Sequence, residues 1–274
     1  MTIRYSKEKT GLSQQERKLI DSMVMLGKSM IHIADVQTVL NVSKERATLM
    51  VSRLSKKGWL QRLKAGVYRI VPLGSETSDP VPEDAMAIAM ELFSPGYIGG
   101  WTAAEHWDLT EQIFNTTVFY TSKAQRKKDH QIAGLSFKTR LITPEDIFGT
   151  AKIWPGNKPI LISDMHRTLI DILDDPAMGG GGRMMVDISK AYWNNKEANF
   201  EMLWQYASKI NHGAVFKRLG LIAEKIFIVS SDQLEKVKDK CKSGIVSLDP
   251  NGPPKGAIIS KWGIRINIPY EDLQ

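Results

Sequence analysis

The sequence predicts a mixed α+β protein, with a small helical N-terminal unit that ends in a β-hairpin and a larger α/β domain with strands first and helices after. Helical spacing of apolar residues, then two short strand patterns, occupy residues 1–72. A stretch rich in Pro, Ser and acidic residues follows at 73–84 and indicates a linker. We therefore expect a second domain over 85–274, and 274 residues with 42% hydrophobic content can bury two cores.

Three helices are predicted in the N-terminal unit. Ser13 and Glu16 form a capping-box pattern at the start of a helix over 12–27, which carries Leu19, Met23 and Leu26 at helical spacing. A shorter helix is expected over 32–41, with an apolar face made of Ile33, Val36, Val39 and Leu40. The third helix is expected to run from an N-cap at Ser43 to Gly58, with Ala47, Val51 and Leu54 facing inward.

Two short strands around Lys64, Ala65 and Gly66 complete this unit, and the whole pattern is typical of a winged helix-turn-helix. In that geometry the third helix enters the DNA major groove and the hairpin contacts phosphates beside it. The expected DNA-binding residues of the helix are Ser43, Lys44, Arg46, Thr48, Ser52, Arg53 and Lys56. Those of the hairpin are Arg62, Lys64 and Arg69.

Charge supports a polyanion partner for this unit. Residues 1–72 contain 14 Lys and Arg against 5 Asp and Glu, whereas residues 73–274 contain 23 against 25. All of the formal net charge of +7 is thus accounted for by the first quarter of the chain. A small winged unit can also serve as a protein–protein module, so that alternative stays open.

In the larger domain, a core helix is predicted after Pro82, and a second helix over the WTAAEHWDL segment that ends near Leu109. Strands are predicted in the segments TTVFYTS, GLSFKTRLI, IFGTAKIW and KPILISD. Helices follow at 164–174, 184–194, 200–210 and 214–224. The alternating Ile264, Ile266 and Ile268 predict a last strand at or near a sheet edge.

Composition narrows the class of protein. We find no apolar run that could span a bilayer and no apolar segment of a secretion signal at the N-terminus, so we expect no membrane partner. A single cysteine, Cys241, excludes an internal disulfide and a cysteine-based zinc cage. These features favour a cytoplasmic protein.

The segment HRTLIDILDDPAMGGGG, residues 166–182, is the strongest candidate for chemistry. Its contiguous glycines follow a helix and lack the Lys-Ser/Thr of a phosphate-binding loop, so we interpret them as a connector between helices. Asp171, Asp174 and Asp175 could hold a metal, but a solvated or salt-bridged helix end, with Arg167 offsetting Asp171, is favoured. With no histidine pair, nucleophile elbow or acidic-x-Lys strand, we predict no catalytic residues, no metal, no cofactor and no enzyme.

A second basic patch is predicted in the larger domain. It lies in a loop after a strand and consists of Lys123, Arg126, Lys127 and Lys128. The simpler interpretation is an exposed hairpin tip, and the functional one is a second phosphate-contacting surface. Lys217, Arg218 and Lys225, on an otherwise apolar helix, are interpreted as packing residues whose charged ends reach solvent.

Several blocks in collinear order resemble the AbiEi family, the antitoxin and regulator half of bacterial type IV toxin–antitoxin (abortive infection) systems. The blocks are GVYRIVP, YIGGWTAAEHWDLTEQ, MHRTLIDILDDPAMGGG, GAVFKRLGLIAEKI and LDPNGPPKGAIISKWGIRINI. Trp107 stands where the family usually has glycine. The resemblance implies repression of the protein's own promoter at inverted repeats, with two copies bound cooperatively, and phage defence. It also implies a C-terminal domain that neutralises a nucleotidyltransferase-like toxin, without requiring a stable complex.

Overall fold

The computed structural model describes residues 10–72, 75, 82, 84–155 and 159–269, and these form a mixed α+β fold. The chain divides into two compact units. The first is Met1–Ala85 with His130–Ser136, and the second is Met86–Asp129 with Phe137–Gln274. No helix of the described ranges is long and apolar enough to cross a membrane.

The first unit contains three helices and a three-stranded sheet. In chain order these are α1 (Gln14–Met25), β1 (Met30–His32), α2 (Ile33–Leu40), α3 (Lys44–Lys56), β2 (Leu60–Lys64) and β3 (Val67–Ile70). The strand order is β1-β3-β2, and both pairings are antiparallel. The sequence did not predict β1, which is only three residues long and pairs with the outer side of the hairpin. Apolar residues from all three helices and the sheet form one core.

Specific caps fix the helix ends in this unit. The Ser13 backbone N–H donates to Glu16 Oε2 over 2.7 Å, and Lys57 Nζ donates to the same oxygen over 2.7 Å. The capping box at Ser13 is confirmed, and through Lys57 it also joins the start of α1 to the end of α3. Gly58 (φ +79°) ends α3 in the left-handed conformation expected of a C-terminal glycine. Of the three apolar residues at helical spacing, Leu19 and Met23 are completely buried, whereas Leu26 is 62% exposed just beyond α1.

A six-stranded mixed sheet organises the second unit, although the segment His130–Ser136, which supplies most of one of its strands and the start of another, is grouped with the first unit. It is built from β4 (Gly96–Ile98), β5 (Thr116–Thr121), β6 (Asp129–Ile132), β7 (Leu135–Leu141), β8 (Thr150–Ile153) and β9 (Ile160–Ser163). The strand order is β6-β7-β5-β4-β9-β8, in which β4 and β9 are parallel while β4–β5 and β8–β9 are antiparallel. Successive side chains of a strand point to opposite faces, so Phe119 and Tyr120 enter different layers.

Helices cover both faces of this sheet. The remaining helices are α4 (Ala85–Phe93), α5 (Gly100–His106), α6 (Met165–Asp174), α7 (Gly182–Trp193), α8 (Phe200–Ile210), α9 (Gly213–Lys225) and α10 (Ser231–Asp239). Phe93 of α4 packs its ring on Phe119 and Phe137, which places α4 on one face. On the other face lies α6, which contacts α5, α7, α8 and α9 and is buried on nearly every side. Helix α6 is therefore the centre of the second unit.

Three short strands follow α10: β10 (Val246–Ser247), β11 (Ala257–Ile259) and β12 (Ile264–Ile266). They form a sheet with the order β10-β12-β11. The strand predicted at or near a sheet edge is present as β12, but it is the central strand of the three and is hydrogen-bonded on both sides. Along the chain, strands β4–β9 precede helices α6–α10, and strands β10–β12 come last. Helices α4 and α5 are exceptions to this order, because both lie before β5.

Candidate nucleic-acid interface

The outward face of α3 is basic and accessible. Ala47, Val51 and Leu54 are completely buried, as predicted, which turns the opposite side of the helix to solvent. Of the residues predicted to bind DNA on this helix, Ser43, Lys44, Arg46, Thr48, Arg53 and Lys56 are exposed and Ser52 is half-buried. Helical spacing aligns Thr48, Ser52 and Lys56 in one row, with Arg53 beside it. The predicted residues of α3 thus share one solvent-facing surface, together with the exposed Leu49.

Two polar groups at the start of α3 are occupied by the helix itself. The Ser43 hydroxyl accepts from the Arg46 backbone N–H (3.4 Å), and the Thr48 hydroxyl donates to the Lys44 carbonyl (2.8 Å). Glu45, exposed on the same turn, has a pKa lowered by a backbone N–H hydrogen bond and by Ser43. It therefore stays ionised beside the basic residues, and its charge opposes the binding of a phosphate there.

The three hairpin residues predicted to contact DNA differ in their exposure to solvent and in their hydrogen bonds. Arg62 is exposed on the outer strand β2, where its Nε donates to the Lys64 carbonyl over 3.4 Å, while Lys64, next to the Ala65-Gly66 turn, is half-buried. Arg69 is also half-buried, and its Nε donates to Oε1 of the cross-strand neighbour Gln61 over 2.6 Å. The Nε of Arg69 thus has a partner within the sheet, and phosphate contact by Arg62, Lys64 and Arg69 stays a prediction.

The second basic patch lies where it was predicted. Lys123, Arg126, Lys127 and Lys128 are all exposed in the loop between β5 and β6. This loop is not a hairpin tip, since β7 separates β5 from β6 in the sheet. Its backbone is fixed at both ends, because Thr121 Oγ1 accepts from the Lys123 N–H (3.0 Å) and the Lys128 carbonyl accepts from the Thr139 N–H (2.7 Å). The four cations are thus presented by a loop with anchored ends.

A buried polar cluster lies between α6 and the sheet of the second unit. Arg167 Nε donates to Asp171 Oδ1 (2.8 Å), Arg167 Nη2 to Tyr97 Oη (2.8 Å), and Tyr97 Oη to Asp171 Oδ2 (2.9 Å). All three residues are at most 2% exposed. Burial raises the pKa of Asp171, and the bonds from Arg167 and Tyr97 oppose that rise. The predicted Arg167–Asp171 pair is confirmed, but solvation of Asp171 is wrong.

The same layer continues towards the end of α6. Arg140 of β7 pairs with Asp174, which also contacts His212, and Arg140 lies 3.6 Å from Asp175 Oδ2. The salt-bridged interpretation of the helix end is confirmed for Asp174. Sequence reasoning missed the role of Tyr97, Tyr120 and Arg140, because they come from three strands whose pairing is not visible in the spacing. Nothing in the sequence around Tyr97, Tyr120 and Arg140 distinguishes these three residues from ordinary residues of the core.

The charged ends of Lys217 and Arg218 were expected to reach solvent, but this expectation is wrong, because each residue is only 3% exposed. Arg218 Nη1 donates to the carbonyls of Leu173 (2.7 Å) and Asp174 (3.1 Å), which are among the last carbonyls of α6. Lys217 Nζ donates to the carbonyl of Gly244. Both therefore bond to backbone carbonyls of other segments, while Lys225, two turns on, is exposed as expected.

The glycine run is a packed helix start. Gly182 begins α7, and its N–H donates to Asp249 Oδ2 over 2.9 Å, so a carboxylate of the protein occupies the position that a bound anion would take. A Cβ at Gly182 would lie 2.7 Å from Asp249 Cβ, and one at Gly179 would lie 2.5 Å from Ile172 Cγ2. These close approaches explain the glycines, and the run is tighter than the loose connector that the sequence indicated.

Comparison with known proteins gives a match of fold. No protein-family model and no curated protein matches the sequence. The structure is similar to the crystal structure of the RV2827C protein from Mycobacterium tuberculosis, with a TM-score of 0.64, 13% sequence identity, and coverage of 94% of this chain and 93% of that one. At this identity the likeness is one of mixed α+β fold over nearly the whole chain.

Proposed function

We propose that this protein is a bacterial DNA-binding regulator and antitoxin, which represses its own promoter through residues 10–72 and opposes a nucleotidyltransferase-like toxin through its larger unit. The observation that carries the regulatory half is the exposed basic face of α3. In this proposal α2 and α3 are a helix-turn-helix, the β2–β3 hairpin is the wing, and α3 reads the major groove.

The contacts inside the first unit support this assignment. Helices α2 and α3 are joined by a tight turn in which Asn41 adopts a left-handed conformation (φ +49°), and Val42 N–H donates back to the Gln37 carbonyl. Ala47, with 0% exposure, gives α3 a small side chain where the helices pack. The opposite face of α3 stays exposed to solvent in the part of the chain that the structure describes.

Charge supports DNA over a protein partner. Arg53 and Lys56 stand near the end of α3 and Arg62 on the hairpin, all exposed. Lys and Arg that neutralise phosphates release condensed counterions, so such a surface binds duplex DNA strongly and with a steep dependence on salt. A protein-binding module would not need this excess of one charge.

The direct test of the regulatory half is a fluorescence-anisotropy titration of the full chain against duplex DNA from upstream of its own gene. Measurements at low and at physiological ionic strength, with a scrambled duplex as competitor, separate specific from non-specific binding. We expect salt-sensitive binding that prefers the native sequence. Equal affinity for the native and scrambled duplexes would refute a promoter-specific regulator.

The antitoxin half rests on the collinear blocks described above, and it can be tested apart from DNA binding. A double variant, Arg53→Ala with Lys56→Ala, removes two exposed cations of α3 and no buried contact. In cells that express the adjacent toxin, we expect this variant to lose repression and keep rescue of growth. Loss of rescue would show that antitoxin action needs DNA binding, and rescue with unchanged repression would contradict the assigned interface.

An alternative function is an interaction protein that does not bind DNA and whose larger unit alone neutralises the toxin. Its signature is that the wild-type chain rescues growth but gives no salt-sensitive binding to any duplex. The anisotropy titration and the growth assay together therefore distinguish the two functions.

A further inference from the structure

A polar cleft of about 310 Å³ opens in the second unit beside the buried cluster. Tyr120 and Arg140 from the sheet and Arg167, Asp171 and Asp174 from α6 line its inner part. Leu141, Ile142 and Ile210 supply apolar walls. A space of this size holds about ten water molecules, or one small organic molecule.

Two hydrogen-bond donors on residues that line this cleft have no acceptor in the part of the chain that the structure describes. Tyr120 is 1% exposed, and its hydroxyl makes no hydrogen bond. The buried Nη1 of Arg140 also makes none, since Asp175 Oδ2 lies 3.6 Å away, beyond hydrogen-bond distance. Buried polar groups in folded proteins are almost always paired, so two orphaned donors lining one cleft indicate an acceptor that comes from outside the chain.

Neighbouring side chains cover both faces of the Tyr120 ring, so that a ligand can approach only its hydroxyl end. Tyr97 stacks on it at 5.1 Å between ring centroids, and the Arg140 guanidinium lies 5.7 Å from its centroid. Because β5 lies between β4 and β7 in the sheet, these neighbours flank the ring from opposite sides. A ligand therefore meets the hydroxyl and not a ring face.

Charge in the cleft selects against ions. Arg140 and Arg167 face Asp146, Asp171 and Asp174, which leaves an excess of one negative charge when all are ionised. An anion would meet this excess, and a cation offers no acceptor to the two free donors. Both oxygens of Asp171 and of Asp174 already accept one bond, and each retains a lone pair for a further donor.

We propose that this cleft is a binding site for a small neutral molecule that carries an amide or lactam group. Its carbonyl oxygen accepts from the Tyr120 hydroxyl and Arg140 Nη1, its N–H donates to a cleft carboxylate, and its apolar part lies against Leu141, Ile142 and Ile210. The site belongs to the second unit alone, so its occupancy is independent of the DNA-binding proposal.

Two pairs of probes test the chemistry: nicotinamide with nicotinate, and uracil with orotate. Each pair shares a ring, and the second member adds or substitutes a carboxylate. The full chain, labelled at isoleucine methyl groups, is titrated by NMR while the Ile142 and Ile210 signals are followed. We expect at least one neutral probe to shift both signals with a dissociation constant of about 1 mM or below, and each anionic probe to bind at least about tenfold more weakly.

Tyr120→Phe should weaken binding of the neutral probe about fivefold or more, because it removes one of the two free donors and no protein contact. Tyr68→Phe, which removes a hydroxyl from the first unit, is the matched control and should leave binding unchanged. The proposal is overturned if neither neutral probe shifts the two signals, if an anionic probe binds as tightly as its neutral partner, or if Tyr120→Phe retains full affinity.

Discussion

Removing the hydroxyl from each of two stacked tyrosines in turn should have very unequal consequences for stability. Tyr97 and Tyr120 lie side by side on β4 and β5 with nearly parallel rings. The hydroxyl of Tyr97 donates to Asp171 and accepts from Arg167, whereas the hydroxyl of Tyr120 has no partner. Tyr97→Phe therefore leaves a buried charged pair partly unsatisfied, and Tyr120→Phe removes a buried group that was never satisfied.

The magnitudes follow from the cost of unpaired buried groups. Hydrogen bonds to charged groups contribute about 1.5–3 kcal/mol each, so Tyr97→Phe should lower the free energy of unfolding by about 3 kcal/mol. Tyr120→Phe should change it by less than about 0.5 kcal/mol, or raise it, because no bond is lost.

Urea unfolding followed by tryptophan fluorescence measures this difference, since six of the seven tryptophans lie in the second unit. The matched substitution makes each variant the control for the other, with ring size and burial held constant. Equal destabilisation by the two variants would refute the description of the buried cluster, and so would a larger loss for Tyr120→Phe.

Three further outcomes are expected. Burial tends to raise the pKa of Glu16, but hydrogen bonds from Lys57 and Ser13 outweigh burial and lower the pKa below its ordinary value of 4.5. The ionised Glu16 therefore stabilises the fold at pH values above 4.5. This contribution is lost as the pH falls through the lower pKa of the folded state. Hydrogen exchange of α1 against pH should therefore show acid destabilisation that is weaker in Glu16→Gln. Gly220→Ala should cost more than about 2 kcal/mol in urea unfolding, because its Cβ would lie 2.1 Å from Trp262; an unchanged midpoint would contradict that packing. Glu45→Gln should tighten DNA binding in anisotropy titrations by removing a charge from the α3 face, and weaker binding would count against that face as the interface.

Local signals in the sequence predicted the helices well. Ser13, Ser43 and Asp164 were each expected to begin a helix, and each side chain accepts from a backbone N–H two or three residues inside the helix it begins. Such caps and the 3.6-residue spacing act over a few residues, so one sequence is enough to detect them. In the helix predicted over 164–174, the apolar residues Leu169, Ile170 and Leu173 are fully buried.

Features that depend on distant pairing were not predictable in the same way. The three-residue β1 has no periodicity to detect, and the central position of β12 follows only from its pairing with both β10 and β11. The cleft is a similar case. Tyr120 and Arg140 are brought together by the strand order. Lys217 and Arg218 were expected from their spacing to reach solvent, but they bond to backbone carbonyls of other segments.

The central proposal, that α3 is the DNA-binding surface, is tested most directly by the dependence of DNA affinity on salt in single-charge variants. Lys56→Ala is compared with wild type and with Lys225→Ala, an equally exposed lysine of the second unit. If Lys56 contacts a phosphate, the slope of log affinity against log salt should become shallower by about 0.9 in Lys56→Ala and stay unchanged in Lys225→Ala. Equal slopes for wild type and Lys56→Ala, or the same change in both variants, would contradict the assignment of α3 as the DNA-binding surface.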